Sequence, residues 1–138
     1  MERKSIFITG AASGIGRETA ILFGRKGWFV GITDIDAEGL ATLETEIGAD
    51  NCHRVVMDVT DPESTRAAME VFARATGGRM DLLFNNAGLV KFGRFEDVAL
   101  PVYHAIIDVN LNGILNCTNY ALTCLKKTPG ARIVSMAS

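Results

Sequence analysis

Short apolar runs and helix-spaced apolar stripes alternate along the whole chain. Ser5-Ile6-Phe7-Ile8 leads to Thr9 and reads as a first strand, Ser5–Thr9. Residues 14–26 carry a helical pattern that stops at Gly27. Residues 28–33 are almost continuously apolar, which suits a second strand buried on both faces. In Ala37–Ile47, Leu40, Leu43 and Ile47 fall at helical spacing, with Asp36 as the better cap and Gly48 as the stop. Residues 54–57 form a third strand. Asp61-Pro62 starts a helix, a capping Asp followed by proline at the first helical position. That helix runs to Thr76 with Ala68, Met69, Phe72 and Ala75 inward, and ends at Gly77-Gly78. Residues 80–84 are a fourth strand, and a loop over residues 85–99 follows. Leu100-Pro101 opens one long helix to Lys127 whose buried stripe is Ile106, Val109, Gly113, Ile114, Cys117, Ala121 and Leu125. After the Pro129-Gly130 turn, Arg132–Ser135 is a fifth strand.

This alternation predicts an α/β fold, a parallel sheet with right-handed crossovers and helices on both faces. Ligands in such sheets bind beyond the carboxyl ends of the strands. Small or polar residues collect there: Thr9-Gly10 after the first strand, Asp34 after the second, Asp58 after the third, Asn85-Asn86 after the fourth and Ser138 after the fifth. The first junction, Thr9-Gly10-Ala11-Ala12-Ser13-Gly14-Ile15-Gly16, is a glycine-rich turn between a strand and a helix. Helix N-terminal amides lack intrahelical partners and carry the positive end of the dipole, so a pyrophosphate can sit there if no side chain blocks it.

Composition narrows the picture without redirecting it. With 138 residues, 48% hydrophobic and 22% charged, the chain suits one globular domain, residues 1–138. Fourteen Lys and Arg against sixteen Asp and Glu give a net charge of −2, with no basic field for nucleic acid. No apolar stretch reaches the length of a membrane span, and the run after Lys4 is too short for a signal peptide. Cys117 and Cys124 lie seven apart on one predicted helix, about 10 Å by its rise and too far for a disulfide. With Cys52 they make an odd count, which suits a reducing compartment and a cytoplasmic protein. His53 and His104 have no ligand spacing with the cysteines, so no metal site is expected; Asp108 reads as a helix-surface neighbour of His104.

The motifs together resemble the short-chain dehydrogenase/reductase family. Its glycine pattern matches residues 9–16, its Asn-Asn-Ala-Gly element matches Asn85-Asn86-Ala87-Gly88, and its adenine-pocket Asp matches Asp58. Its mid-helix catalytic Asn matches Asn110, and its catalytic Ser matches Ser138 in Ile133-Val134-Ser135-Met136-Ala137-Ser138. The resemblance implies a Rossmann-like doubly wound sheet of order 3-2-1-4-5, with later strands absent from this chain. It also implies an oxidoreductase that interconverts an alcohol and a ketone or aldehyde by hydride transfer.

In that frame Gly10, Gly14 and Gly16 let a dinucleotide approach the helix start. Ser13 either reaches phosphate or braces the loop, and Ile15 lies beneath the nicotinamide or simply packs. Arg17 reads as a solvated first-turn residue in preference to a phosphate contact. Asp34 fits the ribose-binding carboxylate found about 20 residues after the glycine turn. It would repel a 2′-phosphate, and no Lys or Arg stands at Ser13 or beside Asp34 to receive one, so NAD is expected over NADP. Asp58 would accept from the adenine amino group with the Val59 backbone beside it, or would stabilise its turn. Asn85, Asn86, Ala87 and Gly88 would set backbone against the ribose; Asn86 could instead tie adjacent strands. Asn110, polar among Val109, Leu111 and Ile114, invites a buried hydrogen bond, and by resemblance kinks its helix and holds a relay water. Ser138 would bond the reacting oxygen.

One departure is large. The family's Tyr-x-x-x-Lys is missing: four residues beyond Tyr103 and Tyr120 stand Ile107 and Cys124. The chain therefore resembles the amino-terminal part of a family member, and by itself is expected to show negligible dehydrogenase activity. Leu82, Phe84, Ile133 and Val134 are expected to leave apolar surface unprotected. The parent is expected to associate as a dimer or tetramer through the long helix and to act on a small alcohol or carbonyl substrate. Two other classes compete: a non-catalytic dinucleotide-binding module, and an S-adenosylmethionine methyltransferase, against which the spacing of residues 9–16 and 85–88 argues. A P-loop nucleotidase is excluded because no Gly-Lys-Ser/Thr follows Gly14.

Overall fold

A computed structural model describes residues 3–137. The elements are β1 (Ser5–Thr9), α1 (Gly14–Arg25), β2 (Phe29–Asp34), α2 (Ala37–Ile47), β3 (Cys52–Val56), α3 (Pro62–Thr76), β4 (Leu82–Asn85), α4 (Leu100–Ile107), α5 (Gly113–Lys127) and β5 (Arg132–Ser135). The five strands form one sheet in the order β3-β2-β1-β4-β5, every pair parallel. Strand order therefore reverses between β1 and β4, which makes a crevice at their carboxyl ends.

Each face of the sheet buries its own core. On one face Ile6, Ile8, Val30 and Ile32 meet Ala20 and Ile21 of α1 and Leu40 and Leu43 of α2. On the other, Phe7 and Leu83 meet Ala68, Met69 and Phe72 of α3 and Cys117, Ala121 and Leu125 of α5. The Phe7 and Phe72 rings meet edge to face, 5.2 Å between centroids. Gly31 is the small residue that makes room, because a Cβ there would sit 2.7 Å from the Phe72 ring. At the amino ends of the strands, Asp81 accepts from the Ser5 amide (2.9 Å) and pairs with the Arg79 guanidinium (2.7 Å). Burial pushes the Asp81 carboxyl up, but the Arg79 hydrogen bond and the Ser5 amide outweigh it and hold it below the usual carboxylate value.

Two expectations change. The long helix is not continuous: Asp108–Asn112 forms a π turn between α4 and α5, although Ile107 (φ −62°, ψ −43°) and Gly113 (φ −58°, ψ −42°) keep ordinary helical dihedrals. Apolar periodicity cannot reveal such an insertion, because the chain stays helical on both sides. Phe84 is also not exposed. It pairs with Ile8 across the sheet and joins the first core, while Leu82 is half-buried. Ile133 (44% exposed) and Val134 (46%) on the edge strand β5 do remain open.

Candidate functional site

The crevice is walled by three strand ends and one helix. The β1–α1 turn forms the first wall. Gly10 (φ +65°) and Gly14 (φ +57°) take left-handed conformations that only glycine adopts cheaply. Gly16 is required for space: its Cβ would stand 2.3 Å from the Gly10 carbonyl and 2.5 Å from Asn86 Nδ2. The turn is tied to the end of β4 from both sides. The amides of Asn86 (3.0 Å) and Ala87 (2.9 Å) donate to Thr9 Oγ1, and Asn86 Nδ2 donates to the carbonyls of Thr9 and Gly10, 3.2 Å each. The Asn86 side chain therefore ties the strand ends, as one of its two expected roles required.

The second wall is the end of β2. Asp34 Oδ2 accepts from the Ala12 amide (3.0 Å) and Oδ1 from the Asp36 amide (3.0 Å), so the carboxylate is clamped to the glycine turn. Asp36, not Asp34, caps α2 by accepting from the Gly39 amide. Arg17 is not a solvated residue. Its guanidinium donates to the Ala12 and Gly39 carbonyls and to Thr42 Oγ1, and pairs with Glu46. The first turn of α1 lies against α2, and an arginine there is drawn into the carbonyls of both elements. Ser13 is the N-cap residue of α1 but makes no side-chain cap bond, and Ile15 is 60% exposed.

The third wall follows β3. Asp58 is exposed, and its Oδ1 accepts from the Thr60 amide (2.9 Å) and hydroxyl (2.7 Å), the turn-stabilising role. Val59 is buried. These walls and the backbone at Ala87, Gly88 and Leu89 enclose a cleft of about 440 Å³, which Gly10, Ser13, Asp34, Asp58, Val59, Asn86 and Val109 also line.

The fourth wall is the π turn. Asn110 is exposed rather than buried, which corrects the expectation from its apolar neighbours. Its polarity is satisfied laterally: Oδ1 accepts from the Leu89 amide (2.7 Å) and Nδ2 donates to the Leu89 carbonyl (2.9 Å), a two-point clamp on the loop after Gly88. Ser138 lies outside the described residues. The ladder leading toward it runs one step past β5, where the Met136 amide donates to the Asn85 carbonyl (2.9 Å). Sequence reasoning passed over Asn116, whose Nδ2 donates to the Val59 carbonyl (2.8 Å). A polar residue one position before the buried Cys117 was its only sign.

Among the described residues no cluster of three His, Cys, Asp or Glu could hold a metal ion. Burial pushes the Cys117 thiol up to about 12 and the Cys52 thiol up to about 11, which leaves both as inert core groups. No helix among the described residues is long and apolar enough to cross a membrane.

Comparison with known proteins agrees with this geometry. Residues 4–138 match the family model described as short chain dehydrogenase. A probable oxidoreductase, EphD, of Mycobacterium tuberculosis is 36% identical over 136 residues, covering 96% of this chain and 23% of that protein. Cyclohexanol dehydrogenase of Acinetobacter sp. is 35% identical over 138 residues, covering 98% of this chain and 55% of that protein. A short chain dehydrogenase/reductase from Burkholderia phymatum, solved in complex with NAD, superposes with a TM-score of 0.92 at 28% identity, covering 99% of this chain and 50% of that one. The chain thus spans about half the length of most such relatives, and less of EphD. With five parallel strands in this order and this crevice at the β1/β4 switch point, the chain belongs to the short-chain dehydrogenase family of oxidoreductases.

Proposed function

We propose that the protein is an NAD-dependent oxidoreductase that interconverts an alcohol and a ketone or aldehyde, with residues 1–138 forming its cofactor half. The observation that carries this reading is the Asp34 carboxylate, held at the end of β2 by the Ala12 amide of the glycine turn. The residues present fit a dinucleotide. The turn is bare where a Cβ on Gly14 would meet nothing within 4 Å, the twelve-residue α1 points its N-terminus there, and a cleft runs on past Asp34 and Asp58. When bound, the nicotinamide supplies or accepts the hydride.

The chain's own residues bind and orient. Amides at the start of α1 face the pyrophosphate, and Gly10, Gly14 and Gly16 keep side chains away from it. Asp34 accepts from the adenosine ribose hydroxyls, while its charge opposes a 2′-phosphate. Arg17 is committed to two carbonyls, Thr42 and Glu46, and so is not positioned to neutralise that phosphate. Asp58 and Val59 meet the adenine, and Ala87 and Gly88 run beside the second ribose. Asn110 fixes the Leu89 loop at the reacting end, and Ser138 bonds the substrate oxygen. Proton exchange with that oxygen belongs to the Tyr and Lys of the family, which residues 1–138 do not contain. Exposed Ile107, Leu111, Leu115 and Leu122 support association of copies through α4 and α5.

Titration of the intact protein with NAD and NADP tests the cofactor reading. NAD is expected to bind at least about tenfold more tightly, and Asp34→Ala to erase that preference. Equal or tighter binding of NADP by the unmodified protein would overturn it.

A further inference from the structure

The loop after β3 spends nearly all of its backbone donors on itself and on its neighbours β2 and α3. The Met57 amide donates to the Asp34 carbonyl, the Asp58 amide to Ser64 Oγ, the Thr60 amide to Asp58 Oδ1 and the Asp61 amide to the Asp58 carbonyl. Among the described residues, the Val59 amide is the donor of this stretch that enters no hydrogen bond, and Val59 lines the cleft. The position of Val59 is set from outside the loop, by α5. Asn116 Nδ2 holds the Val59 carbonyl at 2.8 Å. One turn earlier, Gly113 meets the Val59 side chain so closely that a Cβ on Gly113 would lie 2.7 Å from Cγ2 and 3.0 Å from Cβ. Carbonyl and side chain of one cleft-lining residue are thus both fixed by the same helix, beside Asp58 in the lining.

We infer that Asn116 is a positioning residue for the cofactor's adenosine half, acting through Val59, while Asn110 on the same helical stretch serves the opposite end through Leu89. This rests on the dinucleotide reading of the cleft. Asn110 lies in the π turn and Asn116 in α5, which follows it directly, so one continuous helical stretch touches both ends of the site. A carbonyl that loses its donor shifts toward water, and here that shift moves Val59, which lines the cleft, out of its place beside the ligand.

The test is calorimetric titration of the intact protein with ADP-ribose, which carries the adenosine half, and with nicotinamide mononucleotide, which carries the other. Asn116→Asp keeps the shape and removes the donor; Asn116→Ala, a good helix former, carries the test if the aspartate variant does not melt cooperatively. Asn119→Asp, exposed on the same helix, controls for the added charge. Both Asn116 variants are expected to weaken ADP-ribose about tenfold, to leave nicotinamide mononucleotide within about twofold, and the control to match the unmodified protein. ADP-ribose affinity unchanged in a folded variant overturns the inference, as does an equal loss for both halves, which would mark a merely structural asparagine. Failure of the unmodified protein to bind NAD or ADP-ribose would instead overturn the dinucleotide reading, and this inference with it.

Discussion

At the β1–α1 turn, the wall of the cleft is made of backbone packed too tightly for side chains. At the π turn opposite, it is made of exposed helix held by one side-chain clamp. The Gly16 α-carbon stands where a single methyl would strike the Gly10 carbonyl at 2.3 Å, and the strand end behind it is tied by four hydrogen bonds from Asn86 and Ala87. Asn110 is open to solvent and reaches its partner, Leu89, through two bonds. The first wall is rigid because its alternatives clash. The second is held by groups that water can replace, so its contribution to stability is smaller than its contribution to position.

Substitution at Gly16 should give the largest effect. Gly16→Ala forces apart two backbone segments rather than the end of a flexible side chain, and is expected to cost about 3 kcal/mol or more in denaturant unfolding. A loss near that of an ordinary surface substitution would show that the first wall can relax as the second can.

Next comes the far end of the same sheet. Asp81 holds β1 at Ser5 as Thr9 holds it at Asn86, so cutting the Asp81 tie asks whether the glycine turn depends on a β1–β4 pair anchored at both ends. Asp81→Asn is expected to cost about 2–3 kcal/mol, because the partly buried Arg79–Asp81 ion pair is lost. The sign with pH is fixed. The folded-state carboxyl lies below its usual value of 3.8, so its stabilisation is fully present above that value and is lost as pH falls through the lower folded value. Acid unfolding followed by circular dichroism should therefore show a loss of stability in the unmodified protein as pH falls below 3.8, and Asp81→Asn should flatten that acid limb. An unchanged acid limb would refute the assignment.

Asn110→Ala probes the opposite wall and should cost only about 1–2 kcal/mol, since the Leu89 groups it frees can turn to water. Hydrogen exchange at the Leu89 amide should rise far more than exchange in β1. Equal increases in both would mean that the two walls are one unit.

This contrast also explains what the chain disclosed in advance. Ser5–Thr9, Ala37–Ile47, the Asp61-Pro62 start and Arg132–Ser135 were legible because periodicity, caps and breakers all pointed the same way. The glycine turn was legible because positive φ and close approach leave few residue choices at Gly10, Gly14 and Gly16. The π turn was not legible in the periodicity, because residues 100–127 read as one apolar stripe whether or not one turn is widened; only the resemblance, which places a kink at Asn110, pointed to it. Arg17 and Asn116 were misjudged or missed for a related reason: each acts through a carbonyl distant in sequence, Gly39 or Val59, and a carbonyl has no residue code.

Gly14→Ala is the smallest and sharpest case, because it separates the two uses of glycine within one turn. At Gly14 a Cβ would meet nothing within 4 Å, so no clash arises and only the left-handed φ of +57° opposes alanine. That conformation costs an L-residue about 1 kcal/mol, so melting should shift little compared with Gly16→Ala. The open space beside Gly14 is where the proposed pyrophosphate would lie, so NAD affinity should fall by more than the stability does, about tenfold or beyond. Stability and affinity falling together would mean that the turn had merely loosened. Affinity falling alone ties the bare face of Gly14 to the ligand, and gives the glycine turn a function separate from the packing that Gly16 secures.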